Sequence, residues 1–435
     1  MGWLNLVSLG GIVALGILAW LSGGCPRRVP WRTVIGSALL MLAMGAIVFW
    51  APPARRLLLA VNDAVIAALH AANAGAEFLF GPLAVGPGRR TAAGEPSVGF
   101  VLAAQVLPAV VFFAALMAAL YHLRLIQPLV RMFGRLFHRA LGLSGAEALA
   151  GSSNVFFGVE SAAMVRPYLD GMTRSELLTV LTCGMATVAS TTLAIYVLFL
   201  QAALPNIAGH LISASFLSIP AAALVSKLIL PESATTATSG AVPPTDETPR
   251  HANVVAALTS GAWDGLRLTA GIAALLIAVL GVVGLLDLAL RGATAPFAAA
   301  LGGPIDIERV LGWVFTPLAA LLGIEAADVA HAGAILGSRA VVTEVVAYRR
   351  LADLAAAGAV SPRTVMVLSY ALCGFAHVAS AGIFVGGIAG LAPRRRDDLA
   401  ALSGRALVGA TLATLMTGAV AGMLYHRQPG VLGAE

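Results

Sequence analysis

Charged residues are scarce in this sequence of 435 residues. Asp, Glu, Lys and Arg make up 11% of the chain, whereas soluble globular proteins contain about 25%. Hydrophobic residues make up 59%, and the mean hydropathy is +0.89. This composition excludes a soluble globular protein and predicts an all-α polytopic membrane protein.

Cysteine is also scarce. The three cysteines, Cys25, Cys183 and Cys373, form neither a disulfide framework nor a paired metal-ligand spacing. The sequence has no phosphate-binding glycine loop and no nucleophile-and-base pattern, which argues against an enzyme and predicts no cofactor. The net charge of +6 is spread over short loops beside apolar runs, so membrane topology explains it and no nucleic-acid partner is expected.

Eight apolar runs approach the length of about 20 residues that crosses a bilayer. They lie near 3–22, 33–50, 99–121, 177–202, 207–230, 266–290, 365–392 and 403–425. No basic residue precedes the first run and it is too long for a signal-peptide core, so we expect a retained membrane helix. The arginine-rich loop at 25–32 is predicted to be cytoplasmic, which places the N-terminus outside.

An eight-residue motif occurs twice, at 183–190 and at 373–380, with six identical positions. A glutamate precedes each copy, Glu160 by 23 residues and Glu344 by 29. We interpret this as an internal repeat. Two segments, 145–170 and 329–352, are too short and too polar for full spans and are predicted to be opposed re-entrant hairpins. Inverted repeats with broken helices are typical of secondary transporters, which bind substrate near the bilayer midplane.

The predicted organisation has seven parts. These are scaffold helices at 1–122 with an interfacial helix at about 51–80, an amphipathic interfacial helix at 123–144, a first transport repeat at 145–230, a polar and mobile cytoplasmic linker at 231–254, a central scaffold helix and connection at 255–328, a second transport repeat at 329–425 and a tail at 426–435.

Among the ionisable residues in apolar segments, Glu160, Glu344 and His377 are the candidates for function. A charge inside a membrane costs on the order of 3 kcal/mol, so such residues are candidates for function. The alternative for each glutamate is pairing with a nearby arginine, Arg166 for Glu160 and Arg339 or Arg349 for Glu344. His377 is either a buried histidine with satisfied hydrogen bonds, a donor to substrate or a proton carrier. Ser190 and Ser380 face a similar choice, since each hydroxyl can bond the backbone of its own helix.

These residues resemble the concentrative nucleoside transporter family over nearly the whole chain. The matching segments are 154–160, 165–169, 172–177, 264–266, 336–344, 347–348, 361–363, 370–376 and 386–388. The resemblance implies eight spans and two hairpins in a homotrimer within the inner membrane, in contact with lipid. It also implies nucleoside uptake driven by a Na+ or H+ gradient.

The resemblance assigns two groups of residues. Those expected at the substrate are Gly158, Val159 and Glu160 at the base, Glu344, His377 and Ser380 at the ribose, and Phe375 in the pocket wall. The second group is expected to form the cation site, which is a possible Na+ site, and no other metal site is expected. Its members are Asn154, Phe157, Thr187, Val188 and Thr191.

The chain departs from the family pattern at three kinds of position. A single residue, Val159, separates Gly158 from Glu160, so one polar base-reading side chain is missing. His377 and Thr343 stand where the family has asparagine, and Val188 stands where a hydroxyl is expected. A proton carried by Glu160 or His377 is therefore an alternative to Na+. A different small polar substrate, an enzyme acting on a lipid-linked substrate and a non-transporting receptor also remain as alternatives.

Overall fold

The computed structural model describes residues 2–86, 88–91, 94–188, 190–238, 240, 242–243, 251–297 and 303–426. Regular structure in these ranges is helical, and the one β-type contact among them is an isolated bridge between Arg90 and Pro96. A helix satisfies its backbone hydrogen bonds within one segment, as an apolar environment requires. The predicted all-α class is confirmed for the described part of the chain.

Six helices precede the first repeat unit. They are α1 (Trp3–Ser22), α2 (Trp31–Trp50), α3 (Pro52–Phe80), α4 (Leu102–Gln105), α5 (Leu107–His122) and α6 (Gln127–Leu141). On α6 the side chains of Val130 and Phe137 are buried, while Arg131 and Arg135 are exposed. This amphipathic pattern agrees with the helix predicted at 123–144, and its place at the membrane interface stays a prediction.

The first repeat unit contains a short helix, a break, a divided span and a long helix. The elements are α7 (Gly145–Phe157), a 3-10 helix (Gly158–Val165), α8 (Arg166–Leu169), α9 (Arg174–Ala186), α10 (Ser190–Leu200) and α11 (Ile207–Ile229). Ser144 and Thr173 begin α7 and α9 with capping boxes, in which each hydroxyl accepts from the backbone N–H of a glutamate three residues later.

The second unit repeats this order of elements. It follows α12 (Val254–Thr294) and α13 (Ile307–Ala320) and consists of α14 (Val329–Val341), α15 (Glu344–Ala356), α16 (Pro362–Ala371), α17 (Val378–Leu391) and α18 (Arg396–Leu424). The first helices of the two units, α7 and α14, have 13 residues each. Helix α7 ends shortly before Glu160, and α14 ends shortly before Glu344. The repeat seen in the sequence therefore corresponds to a repeat of elements along the chain.

Eight helices of the described part are long and apolar enough to cross a membrane. The number agrees with the prediction, but one member differs. The set includes Pro52–Ala84, which overlaps the segment predicted to lie in the interface, and it omits 365–392, which was predicted as one run. That run is two helices, because α16 ends at Ala371 and α17 begins at Val378.

The long helices of the repeat units are buried, whereas α12 is peripheral. In the most apolar 18-residue stretch of each helix, 89% of the residues are buried in α11 and 83% in α18, against 6% in α12. Gly261 and Gly265 of α12 lie against the α5 backbone, where a Cβ on Gly261 would lie 2.6 Å from the Ala114 carbonyl oxygen. Small residues four apart allow such close packing between membrane helices. Most of the remaining α12 side chains are exposed or partly exposed.

The two copies of the motif pack against each other. A Cβ on Gly374 would lie 2.9 Å from the carbonyl carbon and oxygen of Ala186, and a Cβ on Gly184 would lie 2.4 Å from Phe384. Both distances are shorter than a van der Waals contact allows. The glycines are therefore required where the two divided spans meet.

The polar linker predicted to be mobile at 231–254 is in part anchored to the first repeat unit. Gly145 donates its backbone N–H to the Thr238 carbonyl at 2.8 Å, and Ala146 donates to the Thr238 hydroxyl at 3.0 Å. Glu232 accepts from the Thr173 hydroxyl at 2.7 Å. The start of the linker thus occupies the N-termini of α7 and α9, while residues 244–250 of the linker lie outside the described residues.

Candidate functional site

Glu344 is held at the first position of a partly buried helix, α15. The short loop of Val342 and Thr343 separates α14 from α15, and Thr343 is extended, with φ −166° and ψ 163°. The Glu344 carboxylate therefore lies at the N-terminal end of α15, where the helix dipole favours a negative charge. The residue is 3% exposed.

The Glu344 carboxylate contacts the other repeat unit and the second copy of the motif. Its Oε1 accepts a hydrogen bond from the Tyr196 hydroxyl at 2.9 Å, and its Oε2 lies 3.0 Å from His377 Nε2. Tyr196 and His377 are thus both hydrogen-bond partners of this carboxylate. Each carboxylate oxygen has one protein neighbour and keeps a second lone pair that can accept from a ligand.

The arginines considered as partners of Glu344 lie elsewhere. Arg339 donates to the Ala371 carbonyl at 2.6 Å, and Arg349 pairs with Asp353 at 3.1 Å. Neither arginine therefore forms a direct ion pair with Glu344, although the charges of Arg339 and Glu344 interact at longer range.

His377 has a defined role at the start of α17. Its Nδ1 accepts from the Ser380 backbone N–H at 3.2 Å, and the Ser380 hydroxyl interacts in return with the His377 backbone N–H at 3.3 Å. Since Nδ1 acts as an acceptor, the ring proton belongs on Nε2, which faces Glu344. One imidazole nitrogen therefore caps the helix, and the other is directed at the carboxylate.

Ser380 forms hydrogen bonds with the backbone of its own segment, which is the structural alternative considered for this residue from the sequence. Its hydroxyl donates to the His377 carbonyl at 2.7 Å and also contacts the Phe375 carbonyl. The Ser190 side chain lies outside the described residues, so the corresponding choice for Ser190 stays open.

The predicted substrate residues line one cavity between the repeat units. Gly158 borders it from the first unit, and Glu344, Phe375, His377 and Ser380 border it from the second. Gly158 has φ +60°, a conformation that favours glycine at the end of α7. Apolar side chains of α12 complete the wall: Leu268, Ile272 and Leu275. The side chains of Val159 and Glu160 lie outside the described residues.

Two of the predicted cation residues form a buried polar cluster beside this cavity. The Asn154 amide donates to the Thr187 hydroxyl, to the Cys183 carbonyl at 3.0 Å and to the Gly184 carbonyl at 3.3 Å. The Ser161 hydroxyl donates to the Asn154 amide oxygen at 2.9 Å. These groups surround the C-terminal end of α9 with oxygen atoms.

The other predicted cation residues do not join that cluster. Thr191 borders the cavity lined by Glu344 and His377, and the Val188 carbonyl accepts from the Ser215 hydroxyl at 3.4 Å. The Phe157 side chain lies outside the described residues. The described part contains no group of three or more His, Cys, Asp or Glu side chains arranged to hold a metal ion.

Tyr196 is the residue that sequence reasoning missed. It is fully buried, and its ring stacks on Tyr348 with the centroids 4.3 Å apart. The only signal in the sequence is a hydroxyl-bearing aromatic within the apolar run at 190–200. Buried tyrosines generally have a hydrogen-bond partner, but its partner lies 148 positions away, which no local pattern indicates.

Comparison with known proteins agrees with this arrangement. Three family profiles match successive parts of the chain: "Na+ dependent nucleoside transporter N-terminus" at 10–83, "Nucleoside recognition" at 103–203 and "Na+ dependent nucleoside transporter C-terminus" at 210–422. The chain is also 33% identical over 414 residues to the putative nucleoside permease NupX of Escherichia coli, covering 95% of this chain and 97% of NupX. The chain belongs to the concentrative nucleoside transporter family. It is accordingly a membrane transporter and not an enzyme.

Other members of the family cover the chain equally well. The uncharacterized transporter YutK of Bacillus subtilis is 36% identical over 414 residues, which are 95% of this chain and 98% of YutK. A solved structure of the transporter CNTnw, in an inward-facing substrate-bound state, is 33% identical with a TM-score of 0.86 and covers 97% of this chain and 98% of that chain. The fold described above is therefore similar to that of CNTnw.

Proposed function

We propose that this protein imports nucleosides by symport with a cation, and that it binds the nucleoside near the bilayer midplane between the two repeat units. The observation that carries the proposal is the geometry of Glu344. Tyr196 contacts one oxygen of this buried carboxylate and His377 lies at the other, so each oxygen keeps a lone pair for a ligand. A carboxylate so placed can accept hydrogen bonds from the vicinal hydroxyls of a ribose.

The two sides of the cavity suit the two halves of a nucleoside. Glu344, His377 and Ser380 are polar groups of the second unit and are assigned to the ribose; Thr343 of the same unit also lines the cavity. Phe375 offers an aromatic face, on which a base stacks favourably by about 1–3 kcal/mol. The 158–160 segment is assigned to the base edge, where Val159 offers no polar side chain. We therefore expect discrimination among bases to depend on backbone groups and on Glu160.

Transport follows from moving this site between the two sides of the membrane. We propose that α7 with the segment after it, and α14 with α15, are opposed re-entrant hairpins, and that the units form an inverted repeat. In such transporters one bundle moves against a fixed scaffold around a midplane site. The peripheral helices α5 and α12 are assigned to the scaffold. In this scheme the hairpin ends and the divided spans carry the substrate.

The oxygen cluster at Asn154 is the proposed cation site, and Na+ is the ion that it fits. Hard cations prefer carbonyl, hydroxyl and amide oxygens. If the Asn154 amide turns over, its oxygen joins the carbonyls of Cys183 and Gly184 and the hydroxyl of Thr187. A proton carried by Glu160 or His377 is the alternative coupling ion.

Replacing His377 by asparagine separates these alternatives. Asparagine is also a good N-cap, so we expect α17 to form and Na+-driven uptake to persist within about tenfold. In proteoliposomes at fixed pH, uptake driven by Na+ should remain. If the wild type responds only to a pH gradient and the variant loses that response while still binding nucleoside, His377 is the proton carrier and the Na+ assignment is wrong.

Equilibrium binding to the purified protein tests the substrate class. By titration calorimetry in detergent, we expect uridine or adenosine to bind in the presence of the coupling cation. Free ribose and free uracil should bind at least about a hundredfold more weakly, because each offers only half of the contacts. Binding of neither nucleoside, with Na+ or at low pH, would contradict the proposal. A Glu344→Gln variant serves as the control for non-specific heat.

The remaining assignments follow the family. We propose a homotrimer in the inner membrane with the N-terminus outside. The exposed apolar face of α12 is then shared between the trimer interface and lipid.

A further inference from the structure

Arg339 is a buried cation without a carboxylate partner. The residue is 0% exposed, and its Nη1 donates to the Ala371 carbonyl at 2.6 Å and to the Thr414 hydroxyl at 2.8 Å. None of the ion pairs in the described part of the chain includes it. A buried charge without compensation is strongly unfavourable, so some other negative group must offset it.

Glu344 stabilises this charge from a distance without a direct ion pair, and the end of a helix supplies the direct hydrogen-bond acceptors. Ala371 is the last residue of α16, and the last carbonyls of a helix lack partners within the helix and carry partial negative charge. Only one nitrogen of the guanidinium makes hydrogen bonds, since Nε and Nη2 have none among the described residues. Arg339 is thus used here for its charge rather than as a bidentate fork.

The first repeat unit has a neutral residue at the corresponding place. Asn154 lies near the end of α7, six positions before Glu160, and Arg339 lies near the end of α14, five positions before Glu344. Asn154 reaches the last carbonyls of α9 as Arg339 reaches the last carbonyl of α16. The first helix of each divided span therefore ends against a hydrogen-bond donor from the helix that begins its unit. This donor is the neutral Asn154 in the first unit and the positively charged Arg339 in the second.

We propose that Arg339 is a built-in cation, which takes in the second repeat unit the place that the coupling ion takes in the first. Each subunit then has one exchangeable cation site, at Asn154. At the end of α16, the partial negative charge of the last carbonyl is always balanced by the Arg339 guanidinium. The inference rests on the proposed cation symport. It adds that Arg339 is a positioning residue, which holds the end of α16 beside the hairpin that carries Glu344.

The test compares Arg339→Lys, which keeps the charge, with Arg339→Gln, which removes it. Arg349→Gln is the matched control, because Arg349 is a partly exposed arginine paired with Asp353. Nucleoside uptake into proteoliposomes is measured against cation concentration. We expect the wild type, Arg339→Lys and the control to show a Hill coefficient of about 1. In Arg339→Gln the half-saturating cation concentration should rise about tenfold and the Hill coefficient should move toward 2, because an ion must now fill the second place.

Two results would overturn the proposal. One is an Arg339→Gln protein with the wild-type Hill coefficient and half-saturation. The other is an Arg339→Lys protein as defective as Arg339→Gln, since the guanidinium shape rather than its charge would then matter. Loss of uptake in Arg339→Gln at every cation concentration, with activity kept in Arg339→Lys, supports a required fixed charge.

Two further measurements keep the proposal testable if a variant fails to assemble or if uptake itself fails. The first is the wild-type ratio of charge to nucleoside moved, for which a value near two would contradict a single exchangeable site. The second is thermal unfolding in detergent, which does not depend on transport. We expect Arg339→Gln to unfold at a lower temperature than Arg339→Lys; equal unfolding temperatures would count against the charge compensation even if no nucleoside is transported.

Discussion

Glu344→Gln is expected to reduce nucleoside uptake by at least about a hundredfold while leaving folded protein in the membrane. The substitution preserves size but removes the charge that accepts from Tyr196 and faces His377 Nε2. Each hydrogen bond from a ribose hydroxyl to the charged carboxylate is expected to contribute about 1.5–3 kcal/mol. Loss of two such bonds weakens substrate binding by about a hundredfold or more. The glutamine amide would also place a donor where substrate hydroxyls are to donate. Initial rates of labelled uridine uptake in proteoliposomes, normalised to inserted protein, measure the effect.

Asp353→Asn is the matched control for this change. Asp353 lies on the same helix, α15, is exposed and pairs with Arg349. Exposed ion pairs contribute about 0–1 kcal/mol, so uptake should remain close to that of the wild type. Wild-type uptake in Glu344→Gln would remove Glu344 from the substrate site and leave the cavity without its main polar group.

Gly374→Ala should abolish transport and lower the stability of the protein. The added methyl group would lie 2.9 Å from the Ala186 carbonyl carbon and oxygen and 2.6 Å from the Thr414 Cγ2 atom. Backbone atoms cannot yield as a flexible side chain does, so the two divided spans must separate. Overpacking of this kind costs about 1–3 kcal/mol. Thermal unfolding in detergent, together with uptake, measures both consequences.

Gly386→Ala is a control in the same divided span. Gly386 lies in α17, and a Cβ there meets no atom within 4 Å. Alanine favours a helix over glycine by about 1 kcal/mol, so this variant should be at least as stable as the wild type. If both glycine variants transport normally, the packing of the two motifs is not the tight contact described above.

The sequence was most informative where a motif was repeated. The two copies at 183–190 and 373–380 predicted where spans are divided, and α9 and α16 do end within or just before them. The same repeat directed attention to Glu344 and His377, which prove to be neighbours 3.0 Å apart. Polar residues in apolar runs are informative because each needs a reason to be there.

Partners distant in sequence could not be predicted. Arg339 was considered as the partner of Glu344 because it lies five positions away, yet it reaches Ala371 instead. Tyr196 comes to Glu344 from the other repeat unit. Which groups meet across two units depends on how the helices cross, and hydrophobic periodicity carries no information about that crossing.

Composition also predicted poorly the position and mobility of segments that mix polar and apolar residues or are of low complexity. The helix at 52–80 contains enough apolar residues to cross a membrane, although its polar residues predicted an interfacial position. The linker was predicted to be mobile from its low-complexity composition, but Thr238 is tied to the start of α7. Composition describes an average over a segment, whereas a few specific hydrogen bonds decide whether its end is fixed.

The most direct test of nucleoside symport is concentrative uptake in proteoliposomes with a single imposed gradient. We predict that labelled uridine or adenosine accumulates above its external concentration when Na+ is imposed at clamped pH, and that an ionophore for Na+ releases it. Vesicles with Glu344→Gln should remain at background. Failure to accumulate either nucleoside under a Na+ gradient or a pH gradient, by wild-type protein that is folded and inserted, would contradict the account.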